Sequence, residues 1–193
     1  MLADAIDAVE IDPFDYADLV RYLAANFPRE MLDQLIDQPG ERMLRRMAFE
    51  SIRERRACPI HSVPGNVLRD WMLEAPASRP LLVAQVTRPW KAAESGDEEF
   101  RWHSSALTTI EVAADTKEVL EVFYDALEPR SWSGSRAAIM EKRATLLYQL
   151  TQHARADVAA WATEASEKFQ ADVTRAREWE DQKERETSER FEW

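Results

Sequence analysis

Glycine is scarce in this chain: 4 residues in 193, where ordinary usage is about 7%. Strand-rich folds spend glycine on positive-φ hairpin turns, whereas helical hairpins need few of them. The shortage therefore points away from sandwiches and barrels. Cysteine is scarcer still, since Cys58 stands alone and no internal disulfide can form. A lone thiol fits a reducing compartment. No apolar run approaches membrane-spanning length, and the first residues, Met-Leu-Ala-Asp-Ala-Ile-Asp, carry acids where a signal peptide carries basic residues. The expectation is a cytoplasmic protein with no membrane contact.

Basic charge is also short. Lys and Arg number 25 against 36 Asp and Glu, a formal net charge of −11. Such a surface repels phosphate backbones, whose recognition depends on cationic side chains. Nucleic acid is disfavoured as a partner, and Arg53, Arg55 and Arg56 read as a solvated helix end rather than a phosphate contact. There is no Gly-rich phosphate loop, no Gly-x-Ser-x-Gly and no His-Glu-x-x-His.

What is present is helical periodicity. With 45% apolar and 32% charged residues, the chain has the composition of a globular protein, and its length suffices for an unstapled core. Asp12-Pro13 starts a helix carrying Leu19, Val20, Leu23 and Ala24. A second follows Pro28 with Met31, Leu32, Leu35 and Ile36. A third runs through Met43, Leu44, Met47, Ala48 and Ile52. Beyond the breaker-rich loop 59–64, Val67, Leu68, Trp71 and Met72 mark a fourth. A fifth begins at Leu81 and carries a kink at Pro89. After the polar turn 94–97, residues 100–113 read as a sixth helix with Trp102, Ala106, Leu107 and Ile110 inward. Asp115 caps a seventh. The loop 129–134 leads to a long helix with Ile139, Met140, Leu146, Leu147 and Leu150, and the final helix runs from about residue 154 to 190.

The expected fold is all-α: an irregular HEAT-like stack of antiparallel helix pairs with a long C-terminal helix. The alternative is a compact helical bundle. The spacing of helix starts gives a pair period of about 40 residues, in the range of HEAT and armadillo repeats. Residues 1–180 form one helical-repeat domain in this reading, and 181–193 a charged arm ending in Phe191-Glu192-Trp193.

Candidate chemistry is thin. Cys58-Pro59-Ile60-His61 has the spacing of half a zinc site, but a second Cys/His pair is missing. His103 and His153 sit on other elements and read as surface or interhelix residues. Metal, cofactor and catalytic residues are accordingly expected to be absent. Ser131-Trp132-Ser133-Gly134-Ser135 admits two readings. Backbone donors at the following helix N-terminus could hold a phosphate or carboxylate. Alternatively Ser133 or Ser135 caps the helix, Gly134 permits the turn and Trp132 plugs a groove between helices. Of seven tryptophans, Trp71, Trp102 and Trp161 lie on apolar stripes. Trp132, Trp179, Phe191 and Trp193 are the candidate partner-binding residues, because exposed aromatics concentrate at interfaces. The alternative for the last two is a frayed tail.

The segment Leu127-Glu128-Pro129-Arg130-Ser131-Trp132-Ser133-Gly134-Ser135, followed by Glu141, Arg143, Leu146-Leu147, Leu150, His153, Val158, Trp161-Ala162 and Phe191-Glu192, resembles the C-terminal HEAT-like repeat region of large bacterial proteins of antiviral-defence type. The resemblance spans about residues 65–193. It implies a repeat surface that senses an invader or holds an assembly together, and it transfers no catalytic residue. Those proteins also carry effector domains that this sequence lacks. The expected function is a non-catalytic protein–protein interaction module of bacterial defence, binding a protein partner or a second copy. The alternative is a ligand- or nucleotide-sensing helical domain with a pocket near His103 and Trp132.

Overall fold

The computed structural model describes residues 13–37, 58–91 and 100–191. Among them the protein is all-α, with eight α-helices and no strand. None of these helices is long and apolar enough to cross a membrane. The chain divides into two compact units, Met1–Ala92 with Trp102–Phe123, and Ala93–Arg101 with Tyr124–Trp193. The third helix expected from the sequence, the Arg53–Arg55–Arg56 cluster, the 94–97 turn and Trp193 lie outside the described residues.

In the first unit, α1 (Pro13–Asn26) begins on a proline, whose missing N–H would have had no helical partner there. It closes with the Asn26 side-chain amide donating to the Tyr22 carbonyl at 2.9 Å. Helix α2 (Pro28–Met31) widens directly into a π-helical turn, Leu32–Asp37. A 3₁₀ turn, Pro59–Ser62, precedes α3 (Gly65–Leu73) and α4 (Arg79–Val86). Helix α5 covers Ser104–Val112, and α6 (Thr116–Leu127) starts in this unit. The core gathers Val20, Leu32, Ile60, Leu68, Trp71 and Val83. Trp71 is fully buried, and its indole N–H donates to Asp33 at 2.8 Å. Above its ring, 4.3 Å from the centroid, lies the Arg79 guanidinium, which also binds Asp37 and Glu74 at 2.8 and 2.7 Å. A bidentate Arg29–Glu74 pair at 2.6 Å extends the network. The two arginines hold the Glu74 carboxyl down at about 2, the hydrogen bond from Arg29 being the larger cause.

Two helix limits differ from the expected ones. Helix α4 stops at Val86, and Thr87 is extended, so Pro89 kinks nothing. A proline disfavours the helical region for the residue before it, and the chain is already extended when it reaches Arg88. Helix α5 starts at Ser104, four residues later than expected, because the His103 side chain caps it, with Nδ1 accepting the Ser105 amide at 3.2 Å. Trp102 instead makes an isolated antiparallel bridge with Trp90. Trp102, Ala106 and Ile110 are all buried. Their spacing of four imitates a helical stripe, although Trp102 reaches the core from extended backbone.

In the second unit, α7 (Arg136–Leu150) and α8 (Ala156–Phe191) form an antiparallel hairpin. The pairing of residue 136 with 180, and of Glu141 with Arg177 at 2.8 Å, gives the direction. Val158, Ala162, Ala165, Phe169, Val173 and Ala176 are the buried stripe of α8, at intervals of three and four. Tyr124 meets Phe169 and Trp161 edge-on, at 5.6 and 6.2 Å between centroids. Arg143 donates to the Leu127 carbonyl at 3.0 Å and so satisfies the end of α6.

Candidate functional site

The end of the hairpin where α7 begins carries the serine motif and two of the four candidate partner-binding residues, Trp132 and Trp179. Gly134 has φ of +80°, a left-handed conformation that costs other residues energy, so the turn into α7 depends on it. Ser135 is the N-cap, its hydroxyl oxygen accepting the Ala138 amide at 3.0 Å. The other donors of that helix start are taken by a carboxylate of the protein itself. Glu180, on α8, accepts the Arg136 amide at 2.6 Å, the Ala137 amide at 3.2 Å and the Ser135 hydroxyl at 2.7 Å. These hydrogen bonds, the one from Ser135 foremost, pull the Glu180 carboxyl below its ordinary range. Both expectations for the serine motif thus meet at one place: the serine caps the helix, and the anion position is filled from within.

Two exposed indoles lie on the segments that this lock joins. Trp132 is 45% exposed, and the Arg136 guanidinium lies 5.4 Å from its ring centre. It does not plug an interhelical groove, because Gly134 turns the chain into α7 while the serine loop stays at the surface. Trp179, 53% exposed, carries the Lys183 ammonium 4.9 Å from its ring. One residue separates it from the buried stripe of α8 in angle: Glu180 points to α7, so Trp179 faces outward.

Helix α8 continues past this point. At 1.5 Å per residue its 36 residues span about 54 Å, against about 22 Å for the 15 of α7. Side chains of residues 181–189 are exposed, and their recorded contacts stay on the same helix, such as Gln182 to Glu186 at 3.0 Å. Phe191 is the last helical residue described. Trp193 lies outside the described residues.

The chain matches no protein-family model. No curated protein and no solved structure matches it either.

A second constellation, in the first unit, was not foreseen. His61 and His103 stack face to face, 3.6 Å between ring centres and 10° between planes. They lie 42 positions apart, and no spacing rule joins residues on two loops. Cys58 is buried, its thiol directed at the Val86 carbonyl at 3.7 Å. Ring nitrogens bind in the ring plane, so parallel stacked imidazoles aim their lone pairs side by side rather than at one ion. Among the described residues no three His, Cys, Asp or Glu side chains are placed to share a metal. His103 and Ser105 stand 2.8 Å apart in the manner of a base and a nucleophile, but Ser105 is buried, and the contact serves the helix cap. Of the other expected core tryptophans, Trp71 and Trp102 are buried and Trp161 is half-buried. His103 belongs to the first unit and Trp132 to the second.

Proposed function

We propose that this chain is a non-catalytic helical module for protein–protein interaction, and that it engages its partner with the α7-start end of the α7–α8 hairpin. The supporting observation is the pair of exposed indoles, Trp132 and Trp179, on the loop and the helix that the Glu180 carboxylate ties together, where α8 runs on beyond its partner helix. An indole offers on the order of 150–250 Å² of contact surface, and its two side-chain torsions leave little entropy to lose. The lock fixes the loop and the helix that carry the two rings, so little ordering remains to oppose binding. The solvated extension gives the partner a second, polar surface alongside the anchors.

In this reading the hairpin is one pair of a HEAT-like stack, and the partner belongs to an assembly like those of the bacterial defence proteins whose repeat regions the sequence resembles. Light scattering and cross-linking with mass spectrometry, on the full chain, on Trp132→Ala/Trp179→Ala and on a version ending at Asp181, test the proposal. Loss of self-association or of a cross-linked partner in the variants is expected. An unchanged mass and cross-link pattern in both would sink it.

A further inference from the structure

The stacked histidines sit where three stretches of chain meet. His61 belongs to the 3₁₀ turn, and its Nε2 faces the Arg88 carbonyl at 2.8 Å. The His103 amide donates to the Pro89 carbonyl at 2.8 Å, beside the Trp90–Trp102 bridge. Segments 58–63, 87–90 and 102–103 are thus joined through two imidazoles and a few backbone bonds.

The bonding requires the His103 ring to be neutral, and burial of the stack disfavours a charge on the His61 ring as well. A carbonyl can only accept, so Nε2 of His61 carries its proton. A backbone amide can only donate, so Nδ1 of His103 is bare; it takes the Ser105 N–H at 3.2 Å and the Ser105 hydroxyl at 2.8 Å. A proton added to that nitrogen would oppose the Ser105 amide, remove the cap of α5 and set a positive charge at a helix N-terminus, where the dipole disfavours it. A proton on each ring would also set two cations at stacking distance.

We infer that the His61–His103 stack is an acid-released clasp: closed while both rings are neutral, it opens the junction of the three segments when they take up protons.

The charged and titratable groups recorded around the rings reinforce this. Arg88 and Lys91 on the stretch after α4 both disfavour added positive charge on each ring. The Cys58 thiol, pushed up by burial, stays neutral and supplies no counter-charge. Burial is the largest cause for His61 and, with the His103 ring, brings it down to about 4; the Arg88 carbonyl works in the opposite sense and does not offset them. His103 is lowered as well, chiefly by burial. Since the closed pKa lies below the ordinary value of about 6.5, the opened form binds protons first. The clasp holds fully above that pH and weakens as pH falls toward 4. His61 by itself changes the open-to-closed ratio by up to about tenfold per pH unit in that window, and His103 acts in the same sense.

The test is hydrogen exchange of the position-103 amide in the full chain between pH 7 and 4.5, corrected for the intrinsic rate, in wild type and in His61→Gln/His103→Asn. The glutamine amide can still donate to the Arg88 carbonyl, and asparagine is a good N-cap that does not titrate. Wild type should lose at least tenfold of its protection on going to pH 4.5, and the double variant should retain it. Wild type that stays protected at pH 4.5 overturns the clasp, as does a double variant that loses protection in parallel. If the double variant does not fold, NMR titration of the wild-type imidazoles decides. Rings that take up protons together with the loss of protection support the clasp, and rings that protonate while the amide stays protected refute it.

Discussion

Replacing Glu180 probes the lock at the start of α7. Its carboxylate makes three hydrogen bonds of 2.6 to 3.2 Å, two of them to backbone amides of a helix first turn. Charge-assisted hydrogen bonds contribute about 1.5–3 kcal/mol when well formed and neutral ones about 0.5–1.5. A negative charge near a helix N-terminus adds about 0.3–1 kcal/mol. Glu180 is only half-buried, so the lower ends apply. Glu180→Gln keeps shape and an acceptor while losing charge, and should cost about 1 kcal/mol. Glu180→Ala loses the acceptor too and should cost about 2 kcal/mol. For a chain of 193 residues melting as one, the alanine variant corresponds to a fall in Tm of roughly 4–8 °C. Urea unfolding followed by circular dichroism measures both. The pH dependence gives an independent sign. A carboxyl whose folded pKa is depressed contributes its stability above the ordinary value and loses it as pH falls below that value. The gap between wild type and Glu180→Ala should therefore begin to close as pH falls below the ordinary carboxyl value of 4.5. An alanine variant within 0.5 kcal/mol of wild type (roughly the error of the method), or a difference that does not shrink in acid, would refute the assignment of the lock.

Other outcomes follow from single contacts. Gly134→Ala meets no atom within 4 Å of the added methyl, so its cost is the left-handed backbone alone, about 1 kcal/mol, read as a lower urea midpoint. Phe123→Ala empties a fully buried position and should cost about 3–5 kcal/mol, enough to threaten folding at 37 °C; a smaller loss would mean that the surroundings collapse into the gap. The Glu74 carboxyl, held at about 2 by Arg29 and Arg79, should stay ionised down to that pH in an NMR titration of its side-chain carbon. In Arg29→Ala it should move back toward its ordinary value. Trp132→Ala should leave stability nearly unchanged, because the ring is half exposed and lies against a partly exposed guanidinium.

Much of the helical layout was legible because apolar side chains recurring at three and four commit a segment to coil and hide one stripe. Val158 to Ala176 show this, and the stripe ends close to where α7 begins. Capping chemistry was legible for the same local reason: Asp115 accepts the Glu118 amide at 3.1 Å, and Ser135 and Gly134 build the turn into α7. Where extended chain happened to carry apolar residues at helical intervals, as at Trp102, the pattern identified the buried residue and misjudged its backbone. Only tertiary structure could decide which groups meet across distance. Glu180 looks like any other glutamate of a charged helix until α8 brings it to the α7 N-terminus, 45 positions from Ser135. His61 and His103 carry no mark of each other. Local periodicity is written in neighbouring residues, whereas the pairing of side chains from distant segments is set by how packed elements come to rest against one another.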